Sequence, residues 1–551
     1  MSELSPTQIR PREGALLLLT FVIAFLGFGS LYSTTPFIYD NDSYYHLAVA
    51  RGQAEQGVQY EPPIRFGLLG RSFGDKELLF HLSLMPFASS GDPLLGGRIA
   101  LALFDALIVV VIGFLSFRAI GRWGFLVPFW LVFSSGQFTW RLVRLRPELL
   151  ALLIFLAAVW AIARKRYWIL AGTGILFALS YVALHAFAGL CLILFVVLGW
   201  TEHRWEWQIA IAPLIGLGAG VLVHPHFPNN LKTWWFHAYD YFFLKEVLDI
   251  GNEIEPVTTS IALLVNVGWF LGLWLLRHAT TEGAGSDQSS YRNLDSDPEQ
   301  ARRTAASFAC GAVIFALLTL LMSRFAIYAV PFVTLWVLFE LRRRGRILGR
   351  RVLLPFRGSI PTWLAVAVVC LVSLPGARLE YNRWRFRTSA GVKQIVVAER
   401  SRAAAVLPQD ARVLASWRST PIFMFWAPQA RYVNVLDPGL LATVDPIVHR
   451  AQLEILSGRE PDIPLATRAM TDSEYLAYYL SPGNRSLTAR LETDPRVQYL
   501  HREVSAVVRF RADYQDAFIL DWNVLPKSAN SQPYPYPRLA GMLGSLEGYV
   551  D

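Results

Sequence analysis

Two carboxylates, Asp40 and Asp42, lie two residues apart just after the first long apolar run of the chain. Tyr44, Tyr45 and His46 follow them, and the same loop carries four more ionisable residues in a largely apolar stretch: Arg51, Lys76, Glu77 and His81. Carboxylates in such a setting accept protons or bind hard cations. Tyrosines beside a membrane also serve as interfacial anchors, so a purely structural interpretation of this loop stays open.

A basic cluster of Arg141, Arg144 and Arg146 precedes Pro147 and Glu148, where the next apolar run begins. Proline suits the first turn of a helix, which predicts that Glu148 opens a membrane-spanning helix. Arginines beside lipid need a partner, and a lipid phosphate is a natural one. Glu148 is either a carboxylate of a functional site or only a stabilising charge at a helix N-terminus.

Two other regions carry polar residues of interest. Arg324 stands between two apolar runs, where an arginine also acts as a snorkelling anchor. The 225–257 region begins after His224 and contains His226, Glu253 and Glu255. The two histidines are candidate metal ligands, although histidines two residues apart beside prolines are commonly polar loop residues. His185, between two short apolar runs, either faces a cavity or caps a hairpin.

Apolar runs that could cross a hydrocarbon layer about 30 Å thick are the elements that must position these residues. Several are short enough to be tilted, broken or paired as hairpins. About eleven spans are predicted, near residues 15–33, 94–117, 124–140, 148–163, 168–184, 186–200, 208–224, 258–276, 305–322, 325–341 and 360–375.

Positive charge predicts the orientation of these spans, because cytoplasmic loops are rich in Lys and Arg. With the N-terminus inside, the loops at 118–122, 164–166, 302–303 and 342–357 are cytoplasmic and basic. The loops at 34–93 and 225–257 and everything after about 376 then lie outside. We therefore predict a multi-pass protein of the cell (inner or plasma) membrane with a cytoplasmic N-terminus.

The composition agrees with a membrane protein. Hydrophobic residues make up 54% of the 551 residues and charged residues only 17%, against roughly 25% in soluble chains. A disordered chain, a disulfide scaffold and a purely cytosolic enzyme are excluded. The net charge of +9 is explained mostly by the basic cytoplasmic loops, so nucleic acid is not a predicted partner.

Two domains are predicted. Residues 1–376 form a transmembrane domain that includes the external loops 34–93 and 225–257, and residues 377–551 form a soluble extracytoplasmic domain. From about residue 390, apolar bursts alternate with Pro, Asp and Gly turns, which indicates a mixed α/β fold. The 280–300 segment, rich in small polar residues, is predicted to be a flexible cytoplasmic linker.

Two segments resemble a known family. Asn41–His46 resembles the Asp-containing first-loop motif of oligosaccharyltransferase catalytic subunits and related GT-C glycosyltransferases. Arg324–Pro331 is similar to an Arg-Phe-x-Ile-Tyr-x-x-Pro stretch of the same subunits. The two segments occur in the expected order and on the same predicted face, and a C-terminal external domain follows them. The resemblance implies that the predicted membrane domain of about 11 spans has a GT-C fold.

The resemblance also implies roles for residues. Asp42 would be catalytic and would coordinate a divalent cation, with Glu148 as a second carboxylate and metal ligand. Carboxylate oxygens suit Mg²⁺ or Mn²⁺, and a leaving phosphate needs a cation, but Asp42 as a general base is equally open. Arg324 would contact the donor phosphate, with Arg141 and Arg144 beside it.

Other residues have a lesser place in this scheme. Glu253 corresponds to a glutamate of the family's second external loop, with Glu255 as the alternative. Asp40 is a further candidate, or it only completes the acidic patch. The remaining candidates, carried by the first loop, are His46, Lys76 and His81.

The sequence departs from oligosaccharyltransferases in one respect. They carry a Trp-Trp-Asp-Tyr-Gly motif that recognises the acceptor sequon, whereas Asp410–Thr420 retains only the lead-in to it. We therefore expect a membrane glycosyltransferase that moves a sugar or oligosaccharide from a polyprenyl-linked donor to a glycolipid, polysaccharide or protein. An oligosaccharyltransferase acting on protein, a flippase of lipid-linked glycans and a structural subunit of an envelope complex are the alternatives.

Overall fold

A computed structural model describes residues 11–240, 266–274, 281–283, 298–347, 350–352, 371–379, 381–382, 399, 401–480, 484–503 and 505–511. The helices are α1 (Pro11–Ser33), α2 (Asn41–Gln56), α3 (Gly67–Arg71), α4 (Leu78–Ala88), α5 (Pro93–Ile120), α6 (Val127–Ser134), α7 (Gly136–Leu142), α8 (Glu148–Ala163), α9 (Tyr167–Ser180), α10 (Leu184–Glu202), α11 (Gln208–Leu222), α12 (Asn229–Trp235), α13 (Pro298–Leu321), α14 (Ala326–Ile347), α15 (Thr420–Trp426), α16 (Pro438–Ala442), α17 (Pro446–Ser457), α18 (Ile463–Thr471) and α19 (Arg485–Thr493).

Long apolar helices make this a multi-pass membrane protein, as predicted. Among the described residues, five helical segments are long and apolar enough to cross a membrane: Pro11–Ser33, Pro93–Ile120, Leu184–Glu202, Pro298–Leu321 and Ser323–Arg344. The helices α8, α9 and α11 are apolar but shorter, with 14 to 16 residues each. Of the spans predicted at 258–276 and 360–375, the described residues include only 266–274 and 371–375.

The run predicted as a single span at 124–140 is instead broken into α6 and α7. Ser135 adopts an extended conformation between them, with φ −122° and ψ 99°. Its hydroxyl accepts the backbone N–H of Phe138 at 3.4 Å and donates to Asn266 Oδ1 at 2.6 Å. The serine therefore ends one helix and caps the next, a local effect that the continuous apolar run conceals.

The first loop folds into helices rather than remaining irregular. Ten of the 16 residues of α2 are buried, on all sides of the helix, so α2 is an interior element despite its polar sequence. Asp40 precedes its first turn and Asp42 lies in it, where a negative charge is favourable. The geometry fixes both carboxylates at one helix end.

Two contacts show how the membrane helices are held together. Tyr32 at the end of α1 donates a hydrogen bond of 2.5 Å to the buried Asp105 within α5. Arg303 of α13, 1% exposed, binds Glu202 at 2.6 Å and Glu206 at 2.7 Å. These buried polar pairs tie distant helices at defined points, because a polar group without a partner inside an apolar environment is costly.

Helices α9 and α11 approach closely through glycines. A Cβ atom added at Gly216 would lie 2.0 Å from the carbonyl oxygen of Ala171, and one at Gly174 would lie 2.7 Å from that of Pro213. Gly216 and Gly220 form a Gly-x-x-x-Gly pattern, which in membranes allows backbones to pack against each other.

The chain forms two compact units. The first comprises residues 1–59, 75–230 and 251–393, and the second comprises 60–74, 231–250 and 394–551. The second unit thus includes a piece of the first loop, which the sequence does not indicate. The predicted boundary at 376/377 stays a prediction, as does the 280–300 linker, most of which lies outside the described residues.

A five-stranded sheet forms the centre of the second unit, confirming the mixed α/β prediction. With the short pair β1 (Thr281–Gly283) and β2 (Arg350–Val352) earlier in the chain, the strands are β3 (Arg412–Ala415), β4 (Arg431–Tyr432), β5 (Tyr475–Tyr479), β6 (Val497–Arg502) and β7 (Ser505–Phe510). The order is β4-β3-β5-β7-β6; β3 is parallel to β4 and β5, and β7 is antiparallel to β5 and β6.

The edge strand β4 receives the first-loop segment at residues 63–66. Ile64 forms a parallel bridge with Tyr432, and the N–H groups of Arg65 and Phe66 donate to the carbonyls of Tyr432 and Val433 at 2.8 and 3.2 Å. Gly67 follows with φ +71°, and a Cβ there would lie 2.7 Å from the carbonyl oxygen of Leu440. Only glycine combines that conformation with such a close approach.

Candidate functional site

Arg146 binds both carboxylates at the start of α2. Its guanidinium contacts Asp40 through Nε and Asp42 through Nη2, the latter at 2.9 Å. The side chains of Arg146 and Asp40 are 15% and 14% exposed, while that of Asp42 is 30% exposed. The arginine thus fixes Asp42 at the edge of a buried polar region and leaves part of its carboxylate accessible.

The segment before α8 is positioned by α2. The backbone N–H of Leu145 donates to the Ser43 hydroxyl at 3.2 Å, which sets the neighbouring Arg146 beside the carboxylates. Arg146 is absent from the residues predicted for the site, although it stands in the predicted basic cluster. The sequence shows three arginines in this short segment. It does not indicate which of them forms ion pairs with Asp40 and Asp42.

Arg144 and Arg141 are buried, each 6% exposed. The Arg144 guanidinium lies over the Trp140 ring at 5.0 Å and the Tyr39 ring at 5.8 Å. The two aromatic rings attract the guanidinium by cation–π interaction, and this attraction fixes the orientation of its N–H donors. A buried, stacked arginine of this kind is suited to bind an anion with two parallel hydrogen bonds.

His46 lies one helical turn after Asp42 on α2 and takes part in a buried chain of hydrogen bonds. Its Nδ1 is 2.9 Å from Nε2 of His81, and Nδ1 of His81 is 2.8 Å from Asp75 Oδ2. Asp75 also accepts from the Gln53 side chain at 2.8 Å and from the N–H of Glu77 at 3.0 Å. The Asp75 carboxylate is therefore fully hydrogen-bonded and orients His81.

The electrostatics of this chain follow from burial and close charges. Burial raises the pKa of Asp75, but the electrostatic interaction with His81 and the hydrogen bond from its Nδ1 outweigh burial and hold that pKa below its usual value. Burial, followed by the electrostatic interactions with His81 and Arg146, lowers the pKa of His46 well below its usual range. His46 is thus neutral at pH 7 and Asp75 is ionised.

Glu77 is buried beside these histidines. Its Oε1 lies 3.5 Å from Lys76 Nζ, and within the described part of the chain its buried Oε2 has no hydrogen-bond partner. Burial raises the pKa of Glu77, against the opposing charge of Lys76. Glu77 was not itself predicted as a site residue. It nevertheless lies beside three first-loop candidates that were: Lys76, His46 and His81.

Glu148 begins α8, as predicted, and is 9% exposed. Among the described residues its buried Oε2 has no hydrogen-bond partner. Glu148 lies within electrostatic range of Glu77 and of Tyr181. Glu148 therefore interacts with polar groups inside the fold, in addition to the favourable interaction of its charge with the N-terminus of α8.

Arg324 lies in the 3-10 turn Ser323–Phe325 that leads into α14. It interacts electrostatically with Tyr181 and with His185 at the start of α10. Tyr181 interacts in turn with Glu148 and Glu77. The structure thus brings Arg324 and Glu148 around a common tyrosine, although 176 positions separate them in the sequence (324 minus 148).

The histidine pair before and within the 225–257 region has a structural role at His224. The N–H of His226 donates to His224 Nδ1 at 3.1 Å, so the ring proton of a neutral His224 is on Nε2, which lies 2.7 Å from the carbonyl oxygen of Asp75. Both ring nitrogens of His224 are occupied, which favours the polar-loop interpretation over metal ligation for this histidine. The candidates Glu253 and Glu255 lie outside the described residues.

Comparison with solved structures identifies the fold. The chain is similar to the Archaeoglobus fulgidus oligosaccharyltransferase in its apo form, with a TM-score of 0.50 and 13% identity over 84% of this chain and 69% of that one. It is also similar to ArnT from Cupriavidus metallidurans bound to undecaprenyl phosphate, with a TM-score of 0.52 and 15% identity, and to apo ArnT, with 0.54 and 14%.

Both ArnT matches cover 90% of this chain and 98% of the solved chain. No family model matches the sequence, and no curated protein matches it. The similarity is therefore one of architecture, at identities where only the fold is shared. It extends over the membrane helices and the C-terminal domain alike.

Proposed function

We propose that this chain, which has the GT-C fold, is a membrane glycosyltransferase that moves a sugar or oligosaccharide from a polyprenyl-phosphate or -diphosphate donor to an extracytoplasmic acceptor. One observation carries the proposal: Arg146 fixes Asp42 and Asp40 at the start of α2 while leaving part of Asp42 accessible. ArnT was solved with undecaprenyl phosphate bound, which supports a donor of the polyprenyl class.

Asp42 is the proposed catalytic residue, in one of two roles. As a general base it accepts the proton of the acceptor as the new glycosidic bond forms. As a metal ligand it helps to hold a divalent cation against the leaving phosphate. In both roles Arg146 holds the carboxylate in position through the 2.9 Å contact from its Nη2.

Positive charge for the donor phosphate comes from Arg324, Arg141 and Arg144 in this proposal. The sugar–phosphate bond breaks with negative charge growing on the phosphate, so fixed guanidinium groups stabilise the transition state more than the bound donor. A lipid donor arrives from the bilayer, and a nucleotide-sugar motif is not required.

A divalent cation, Mg²⁺ or Mn²⁺, is proposed on Asp42 and Glu148. Carboxylates are the ligands these ions prefer, and the buried Oε2 of Glu148, which lacks a hydrogen-bond partner in the described region, fits such a position. When bound, the cation would offset the charge of the departing phosphate. Glu253 stays a predicted assisting residue.

The acceptor is proposed to be a glycolipid, a polysaccharide or a protein. The similarity to an archaeal oligosaccharyltransferase keeps protein acceptance as the second candidate function. The region that would carry the sequon motif, Asp410–Thr420, instead forms β3 and the start of α15 without that motif. A flippase of lipid-linked glycans remains the alternative outside enzyme chemistry.

Replacement of Asp42 by Asn tests the proposal in a strain that lacks the chain. Mass spectrometry of extracted lipids measures the polyprenyl-linked sugar that accumulates on deletion. We expect the wild-type chain to clear it and Asp42→Asn to leave it at the deletion level, because amide nitrogen and oxygen neither accept the proton nor bind the cation well. Asp410→Asn is the matched control, since Asp410 is surface-exposed and its φ of +56° suits Asn.

Equal expression and gel-filtration behaviour of the two variants separate chemistry from folding. Full clearance of the lipid by Asp42→Asn would remove Asp42 from catalysis. Accumulation of the same lipid on the cytoplasmic leaflet alone would support the flippase.

A further inference from the structure

Three buried groups next to the acidic pair have the composition of a metal site. The ligand atoms of His46, Glu77 and His81 all lie within 4.8 Å of one another, and the residues are 4%, 4% and 0% exposed. Two imidazoles and a carboxylate are the ligand set of many zinc sites in which a fourth position stays open to a non-protein ligand.

The distance between the histidines suits a shared metal ion. His46 Nδ1 and His81 Nε2 are 2.9 Å apart. Two nitrogens that each bind one zinc ion at about 2.0–2.1 Å in tetrahedral geometry are about 3.3 Å apart. A small rotation of either ring would open that gap, and the ion would take the place of the proton that joins the two nitrogens.

The tautomer of His81 is already the one a metal ligand needs. Asp75 accepts the proton on Nδ1 of His81, so Nε2 carries the lone pair. A carboxylate behind a histidine is the usual support of such a ligand, because it fixes the ring and increases its basicity. Asp75 is itself held by Gln53 and by the N–H of Glu77.

Glu77 supplies an observation that the histidine pair alone does not. In the described part of the chain its buried Oε2 lacks a hydrogen-bond partner, and Oε1 is 3.5 Å from an ammonium group. A buried carboxylate oxygen without a partner is costly, and a directly bound cation removes that cost. We propose that His46, Glu77 and His81 bind one divalent transition metal ion of the zinc class.

This site is distinct from the carboxylate pair proposed for Mg²⁺ or Mn²⁺, since its ligands are two nitrogens and one oxygen. Imidazole favours zinc and related ions over Mg²⁺. The inference does not rest on the proposed function, because binding is measured without turnover. Within the described residues, a second group of this type, Glu399, His501 and Glu503, is engaged in internal contacts: Glu399 binds His501 and Ser505, and Glu503 binds Arg402.

The test is metal content of the purified full chain. Protein stripped with a chelator is dialysed against a low-micromolar excess of Zn²⁺ and then analysed by inductively coupled plasma mass spectrometry. We expect one zinc per wild-type chain, near zero for His46→Gln and His81→Gln, and at least a tenfold loss of affinity for Glu77→Gln. His501→Gln is the matched control and should keep one zinc.

Two further measurements complete the experiment. Asp75→Asn leaves all three ligands in place, so a 10- to 100-fold weaker affinity is expected from the lost support alone. Co²⁺ in place of Zn²⁺ should give the intense visible absorption of a tetrahedral site in wild type and not in His81→Gln. Gel filtration and thermal melting without metal identify any variant that fails to fold.

The proposal would be overturned if the wild-type chain bound less than about 0.2 zinc ions per molecule. The Co²⁺ absorption spectrum checks this result independently. One zinc retained by both histidine variants would also overturn the proposal. A loss of zinc from His501→Gln instead would assign the ion to the second group.

Discussion

At the scale of single residues, Arg146 is the contact on which the site depends. One planar guanidinium meets two carboxylates, so neither can rotate without losing a charge-assisted hydrogen bond. Lysine has one ammonium group at its tip and does not reproduce this two-sided geometry. The arginine therefore contributes position as well as charge.

Replacement of Arg146 by Gln should lower kcat by roughly 100-fold, the usual effect of displacing a reacting group by about 1 Å. Arg146→Lys should recover only part of that loss. The measurement is sugar transfer with purified protein and a polyprenyl-linked donor. Arg402→Gln, which breaks an exposed ion pair with Glu503, is the control. Equal rates for Arg146→Gln and the control would show that Asp42 needs no such support.

His449 of α17 gives a prediction on stability. Burial lowers its pKa from 6.5 to about 4, so the unfolded chain binds more protons than the folded chain between those values. Stability contributed by the neutral histidine is complete above pH 6.5 and is lost as the pH falls toward 4. The full loss corresponds to roughly 3 kcal/mol, at about 1.4 kcal/mol per pKa unit.

His449→Gln, which does not titrate, should therefore lose less stability than wild type between pH 7 and pH 5. Chemical denaturation of the purified protein at both values, followed by circular dichroism, measures the difference. A difference of about 2 kcal/mol in favour of the variant is expected at pH 5 relative to pH 7. Identical pH dependence of the two proteins would mean that His449 is not buried in its neutral form.

The sequence indicates one part of the candidate site and gives no sign of another part. Asp40, Asp42 and Arg146 were all in segments that the sequence marked, but their pairing depends on a loop 100 residues away docking onto α2. Asp75 and Gln53 belong to no recognisable sequence motif, so the sequence does not indicate their place beside His81. Gln53 follows His46 by seven residues, which places both on one helix face, and that spacing was the available signal.

At the scale of elements, the contact between α9 and α11 decides how closely two membrane helices pack. A Cβ atom added at Gly216 would lie 2.0 Å from the carbonyl oxygen of Ala171, whereas one added at Gly218, two residues on, would meet no neighbouring atom within 4 Å. Any side chain at 216 must separate the backbones. A side chain at 218 projects into open space.

Gly216→Val should consequently lower the melting temperature of the protein in detergent, with a destabilisation of about 1–3 kcal/mol from overpacking. Gly218→Val is the matched control, with the same residue type and the same intrinsic cost to a helix, and should melt close to wild type. Melting is followed by tryptophan fluorescence. Equal shifts for the two variants would assign the effect to helix propensity and not to the close approach.

Elements were easier to predict than their ends. The long helices can be predicted from the length of the apolar runs, because the hydrocarbon layer sets a minimum length for any membrane-spanning helix. The break at Ser135 was not predictable, since it depends on a hydrogen bond to Asn266, 131 residues away. The sequence also does not predict that α2 is a helix. Its buried residues lie on all sides of the helix, so its apolar residues do not recur with helical spacing.

At the scale of the whole molecule, orientation in the membrane is open to a direct measurement. The basic loops predict that residues near 91 lie outside and those near 204 inside. Gly91 and Arg204 are both exposed, and the cysteines Cys191 and Cys310 are buried or half-buried in apolar helices. Single cysteines at these two positions are therefore suitable labels.

In intact cells, Gly91→Cys should react with a membrane-impermeant maleimide and Arg204→Cys should not react until the cells are opened. Wild type supplies the background of the native cysteines. The reverse pattern would invert the predicted topology and place the proposed site in the cytoplasm.

The strand-like segment at residues 63–66 has a consequence for how the C-terminal half can be handled. It supplies backbone partners to the outermost strand β4, and Arg71 beyond it binds Asp445. A protein cut at residue 394 would lose this cover and expose an unpaired edge, a surface that recruits other chains. We expect such a fragment to aggregate when expressed alone, and to stay monomeric when a peptide of residues 60–74 is fused or added. The first loop would then act as an intramolecular chaperone for a domain made more than 300 residues later.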